Sequence, residues 1–290
     1  MMKAMRARVL SAVPLLLVAG AVFCERPPAE KPAVAAEEQA VPLEKVLYPA
    51  GVPPRENPYE DGQAAPEIVI LGSASAAPER TVVLYAERFP NPVKGEDSFH
   101  TLFVALIGGA AGSEGARVLD RHDITQTIKT FMDEPGHVYD IRGAVTPFAL
   151  PGDEQGVDVS ARVRLSGTGG ISETDDWLYR ITPEGKLAPL LTLAPTATYW
   201  RSGTREFEEA GGDLLVENPA TGGRLIVTST TRALDPSLET PKCVAKEPEV
   251  YRYRDGRYVR EGTLSAGELE KLRPSLTALP RLQRQVQPCQ

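Results

Sequence analysis

The nine residues from Val157 to Leu165 alternate without a break. Val157, Val159, Ala161, Val163 and Leu165 are apolar, while Asp158, Ser160, Arg162 and Arg164 are polar. A helix would smear that pattern around its whole circumference. A strand, whose side chains point alternately to opposite faces, sorts it into one apolar and one polar side. The alternation therefore predicts a β-strand in a sheet with one wet face.

The same period recurs from Glu67 onward. Apolar runs at Ile68 to Leu71, Thr81 to Tyr85 and Thr101 to Ile107 read as more buried strands, and Leu187 to Leu193 and Arg224 to Thr228 add two more. The 25 glycines and 26 prolines of the 290 residues argue for many turns and few long helices. Asp123 to Phe131 carries Ile124, Ile128 and Phe131 at helical spacing behind Asp123 as a cap, but its threonines suit a strand equally well. Ser265 to Leu272 is the better helix: Ser265 and Glu268 have the spacing of a capping box, and Pro274 marks the stop. The expectation is a mainly antiparallel β domain over 67–261, a meander arranged as a sandwich or an incomplete propeller, followed by a short helix and tail over 262–290.

One hairpin is explicit. Asp255-Gly256 is a two-residue turn of the kind that takes positive φ. Counting outward pairs Tyr253 with Tyr258 and Tyr251 with Arg260, which places an aromatic pair and a cation–π contact on one face. An echo lies at Leu178-Tyr179-Arg180, which leads through Pro183-Glu184-Gly185 into Lys186-Leu187. Tyr-Arg, a turn with glycine, then a basic and an apolar or aromatic residue resembles blades of secreted β-propeller proteins, including those with FG-GAP-like repeats. That resemblance implies propeller-like architecture for about a quarter of the chain; the Asp-rich calcium loops of that family are absent from these two hairpins.

The N-terminus is of another kind. Lys3, Arg6 and Arg8 precede an apolar run from Val9 to Phe23, interrupted by Pro14. The run is shorter than the roughly 20 residues that span a bilayer, so 1–23 is read as an export signal. Ala19-Gly20-Ala21 offers an ordinary cleavage site that would leave Val22 first. Cys24, directly after the apolar run, resembles the lipobox of bacterial lipoproteins, although Phe23 stands where that family has a small residue. The resemblance implies that Cys24 is acylated and becomes the first residue. The Pro-, Ala- and Glu-rich stretch from Glu25 to Pro66 is expected to be an extended, disordered tether (24–66 with the cysteine), because it offers little apolar surface to offset ordering entropy.

Beyond the signal and tether, well over 200 residues remain, enough for one mid-sized domain or two small ones. The net charge of −7 is spread along the chain and no basic stripe suggests a nucleic-acid partner. An exported protein meets an oxidising compartment, where Cys243 and Cys289 are expected to pair and clip the tail to the domain. On the chain-entropy account such a loop contributes about 3–4 kcal/mol.

Candidates for chemistry are sparse. His100, His122 and His137 lack metal-ligand spacing. Asp133, Glu134, His137 and Asp140 could bind a cation or supply an acid–base pair, but Glu134-Pro135-Gly136 is also a plain turn. Gly152 to Asp158 offers oxygens without the full calcium-loop pattern, and Ser166 to Gly170 lacks the Lys-Ser/Thr of a phosphate loop. Trp177, Tyr179, Tyr199 and Trp200 could stack on a sugar, or simply pack. No cofactor, metal site or catalytic set is expected. The reading is a cell-envelope lipoprotein, periplasmic or at the outer surface, with the membrane as one partner through its lipid and an unidentified protein or glycan as another. Its role would be binding or structural; an envelope polysaccharide or peptide hydrolase and a carbohydrate- or calcium-binding module are the alternatives.

Overall fold

The computed structural model describes residues 41–57, 59–90, 98–110, 112–127, 138–165, 171–192, 196–200, 207–217, 223–234 and 242–279. The fold is mainly β, built from antiparallel sheets that do not close, with one short C-terminal helix.

Within the described residues, the first sheet is a meander of β3 (Glu67–Ala77), β4 (Arg80–Phe89), β5 (Ser98–Gly108) and β6 (Arg117–Asp123). The second opens with β7 (Val138–Ala149), β8 (Gln155–Leu165) and β9 (Ile171–Ile181). From there β10 (Leu187–Thr192) folds back on one end of β9, and β11 (Thr196–Trp200) pairs with the other. The sheet continues through β12 (Phe207–Gly211), β14 (Arg224–Leu234), β15 (Lys242–Arg254) and β16 (Arg257–Thr263). A short flank of β13 (Leu214–Glu217) and β17 (Leu276–Ala278) lies against the first half of β14.

Layers follow from the side chains. Val82, Leu84, Ala86, Leu102, Val104 and Leu106 of the first sheet share a core with Val157, Val159, Ala161, Val163, Trp177 and Tyr179 of the second. This is the sandwich arrangement of the two expected. At its rim β3 and β7 approach closely: a Cβ on Gly143 would lie 2.4 Å from Leu84 Cδ2 and 2.8 Å from Leu71 Cβ, so only glycine fits. The opposite face of the second sheet is covered in turn. Leu178, Phe148, Leu150 and Leu190 pack with Leu214, Val216, Leu225 and Tyr258 from the later strands of the same sheet.

That second core corrects the expectation of a wet face on β8. Its odd positions are buried as expected, but Asp158 and Ser160 are each only 1 % exposed. At these two positions the polar face meets protein, with Ser160 Oγ donating to Asp176 Oδ1 at 2.6 Å, while Arg164 at the end of the strand is exposed as expected.

The tether also needs correction. From Val41 onward it is folded: α1 (Leu43–Leu47) buries Val46 and Leu47 against Val83, Tyr85, Phe103, Ala105 and Ile107. The hairpin of β1 (Arg55–Glu56) with β2 (Gln63–Ala64) follows. At the other end α2 (Ala266–Leu272) carries the expected capping box between Ser265 and Glu268, with Leu269 set against Ile226 and Val250. The chain then returns to the sheet as β17, beyond the expected limit of the β region. Asp123 to Phe131 is neither helix nor strand throughout; Asp123 ends β6 and accepts from the Thr125 N–H at 2.9 Å, and a 3-10 turn spans Thr125–Thr127. Residues from 128 of that segment lie outside the described residues. Among the described residues no helix is long and apolar enough to cross a membrane.

Candidate functional site: the strap and the cavity beside it

Val83 and Tyr85 of β4 pack against α1, and Glu87, two positions further on, is fully buried. A carboxylate there must find donors for both oxygens. Oε1 accepts from the Tyr48 hydroxyl at 2.8 Å and from Arg55 Nη2 at 3.0 Å. Oε2 accepts from Thr101 Oγ1 at 2.7 Å and lies 2.5 Å from Arg55 Nε. Tyr48 and Arg55 belong to the strap over 41–66, so this buried charge ties the strap to the first sheet.

Arg121 of β6 completes the clasp. Its guanidinium sits 4.5 Å from the centre of the Tyr48 ring and donates to the Leu47 carbonyl at 2.5 Å. Burial, reinforced by Glu87, pushes the Tyr48 phenol above its ordinary pKa, against the hydrogen bond from Tyr85 and the charge of Arg121. Burial likewise raises Tyr85, which stacks on Phe103 at 5.2 Å. Both phenols therefore stay protonated, which Tyr48 requires in order to donate to Glu87.

The β1–β2 hairpin and His100 of β5 enclose an open cavity of about 730 Å³. Glu56, Asn57, Tyr59, Glu60 and Asp61 line it with His100. The His100 ring meets Phe89 edge-on at 5.2 Å, and burial lowers its pKa against the opposing pull of Glu87. The imidazole is neutral at pH 7 and able to donate or accept. Glu87 itself has both oxygens occupied, so it acts as an anchor rather than a base.

Three further polar nodes tie strands and turns together. Asp120 of β6 accepts from the Leu187 N–H at 2.8 Å, with His122 at 3.3 Å and Lys186 at 3.5 Å. Arg80 donates to the carbonyls of Thr182 and Pro183, both at 2.7 Å, so the β9–β10 turn is docked on the first sheet. Glu154 accepts from Arg180 at 2.7 Å and from the Tyr253 hydroxyl. Here the echoing hairpins meet, since Gly256 of the second lies against Arg180 beside the first.

The residues expected to carry chemistry fall as follows. Cys24, Cys289, Asp133, Glu134, His137 and 166–170 lie outside the described residues. Asp140, at the start of β7, faces Arg142 and Arg164 at 3.7 and 3.8 Å, as a surface ion pair does. Gly152 to Asp158 is a turn leading into β8, with its Glu154 committed to Arg180 and Tyr253 and its Asp158 inside the sheet. Trp177 and Tyr179 are core residues, and Trp177 Nε1 donates to Thr127 Oγ1 at 3.1 Å. Tyr199 and Trp200 are placed on β11. Cys243 lies half-buried on β15. Tyr253 and Tyr258 pair edge-on at 5.7 Å, in the register counted from the turn. Tyr251 does stand opposite Arg260, but both turn to Glu249 instead of each other: the Tyr251 hydroxyl donates at 2.6 Å and Arg260 lies at 3.0 Å. A carboxylate offers Arg260 more than a ring face does.

Glu87, Tyr48 and Arg55 went unnoticed in the sequence, and His100 was weighed there only as a metal ligand. The available signal was an acid inside an apolar run, Val82-Val83-Leu84-Tyr85-Ala86-Glu87, on the face of Val83 and Tyr85. Among the described residues no group of His, Cys, Asp and Glu could hold a metal ion. Comparison with known protein families, curated proteins and solved structures gave no match.

Proposed function

We propose that the protein is an exported cell-envelope lipoprotein with a non-enzymatic binding or structural role. The observation that carries it is the N-terminal order: three basic residues, an apolar run ending at Phe23, then Cys24. A second feature supports it. Between Cys24 and the strap the chain has room for a tether, and the strap is fastened through Tyr48 and Arg55 to Glu87. A lipid-held domain has to accept load at its N-terminus, and a buried, multiply bonded carboxylate resists fraying better than a free end does. In the same oxidising compartment Cys243 and Cys289 would pair.

Labelling with radioactive palmitate in a Gram-negative host tests the proposal. Incorporation that disappears in Cys24→Ala is the expected result; an unlabelled wild-type protein would overturn it.

One observation favours a second reading, a carbohydrate-binding module. The cavity beside the strap presents amide, phenol, imidazole and carboxylate groups together, the donors and acceptors that sugar hydroxyls use. A melting temperature that rises with an envelope glycan and fails to rise in Tyr59→Ala would support it. A flat response across glycans would remove it.

A further inference from the structure

We infer that the exposed face of the β15–β16 hairpin, on the side of the sheet that carries α2, is a docking surface for a linear acidic polysaccharide with carboxylates on its sugar rings. The inference names a partner for the binding role proposed above, and it rests on that reading only for the envelope as the place where the two meet.

Register fixes the face. Ile226 of β14 and Val250 of β15 pack with Leu269 of α2. Arg224 and Arg252 stand two positions from them on the same side of the sheet, and Arg254 follows two further on. The bulge beside Val250 puts its extra residue, Glu261, on β16, so the alternation along β15 is unbroken. On β16, Val259 is opposite Arg252 and Arg257 is opposite Arg254. Tyr251, Tyr253 and Tyr258 turn the other way, into the second core. Arg252, Arg254, Arg257 and Val259 are all exposed.

Like charges directly opposite each other on paired strands repel. This face holds two such pairs in register, Arg224 with Arg252 and Arg254 with Arg257. Two carboxylates answer them. Glu217 accepts from Arg224 Nη1 at 2.9 Å, and a single oxygen of Glu261 takes both Arg252 Nε and Arg254 Nη2 at 2.7 Å. Among the described residues neither Arg257 nor Asp255 of the turn enters an ion pair. A guanidinium carries five N–H donors, so these contacts orient Arg252 and Arg254 and leave donors over for a ligand. Their side chains are 47 % and 59 % exposed.

The arrangement selects the partner. The guanidiniums form a diagonal band, with steps of about 5 Å between strands and about 7 Å along β15. A band of that kind fits a polyanion better than a single small ion. Val259 lies within it and is 37 % exposed, an apolar side chain bordered by arginines. A uronate ring matches that surface: its C–H face can rest on Val259 while its carboxylate meets the forked donors alongside. A polyphosphate lacks the apolar face, and an acidic peptide carries its carboxylates on flexible stems.

Isothermal titration of the full mature chain, held in non-ionic detergent, with oligogalacturonate tests the surface. Affinity should weaken about tenfold in Arg257→Ala and in Arg254→Ala, and it should fall as salt rises. Polyglutamate and polyphosphate of matched charge should each bind about tenfold more weakly than oligogalacturonate. Arg257 makes no ion pair, so its removal should leave the melting temperature unchanged, and that variant decides the case if Arg254→Ala fails to fold. No binding of oligogalacturonate, equal binding of either control polymer, or full affinity in Arg257→Ala would overturn the proposal. The probe is added to purified protein, so such a failure leaves export standing, and a protein that escapes palmitate labelling leaves this surface standing.

Discussion

Glu87 concentrates in one side chain the question of how the chain begins to fold. Removing a carboxylate from water costs several kcal/mol unless donors replace the solvent. Here they come from three residues: Tyr48 and Arg55 of the strap and Thr101 of β5. Glu87→Ala should destabilise the protein by roughly 2–3 kcal/mol, because the Tyr48 and Thr101 hydroxyls lose their acceptor. The loss stays below that of a fully buried pair because Arg55 is 41 % exposed and keeps some water. Urea unfolding measures it, and trypsin cleavage after Arg55 in the native protein should accelerate in parallel. An unchanged midpoint would mean that Val46 and Leu47 hold the strap unaided. In the sequence the residue was visible only as an acid in an apolar run. Its partners lie 32 and 39 positions away in one direction and 14 in the other, and no local pattern records such separations.

Between elements the contacts are polar at the rims and apolar within, and each kind makes its own prediction. Partial burial works to raise the Asp120 pKa, but the Leu187 N–H, His122 and Lys186 outweigh it and hold the carboxyl below its ordinary value. A group whose pKa is lower in the folded than in the unfolded state stabilises fully above the unfolded value, about 3.9 for an aspartate, and loses that contribution as pH falls through the folded one. Asp120→Asn should therefore lower the melting temperature at pH 7 and flatten its decline below about pH 4. Parallel curves for the two proteins would show that the β6–β10 contact carries no linkage. At the β3–β7 rim, Gly143→Val would force a side chain into Leu84 and Leu71, at a cost of about 1–3 kcal/mol read as a lowered urea midpoint. A neutral substitution there would mean that the rim yields. Most strands were legible because period two is a local property: the run at Val157, the apolar segments of β3 to β5 and the Asp255-Gly256 hairpin all appear in the expected places. The second cover on β8 was not legible. Asp158 and Ser160 look solvent-facing until later strands of the same sheet return over them.

For the whole molecule, the described residues form stacked layers: the strap, the first sheet, the two parts of the second sheet, and α2. Composition misled at the entrance to this stack. Prolines and acids between Glu25 and Pro66 read as uniform tether, yet Val41, Leu43, Val46, Leu47 and Tyr48 put enough apolar surface together to dock. The folded strap begins at Val41, and Tyr48 and Arg55 fasten it to the first sheet at Glu87. The central claim concerns what lies at the far end of that tether. Intact mass of the mature protein from a Gram-negative host, measured alongside detergent phase partitioning, tests it most directly. The account predicts a chain that begins at an acylated Cys24 and enters the detergent phase. A mass that begins at Val22, from a protein that stays in the aqueous phase, would contradict it.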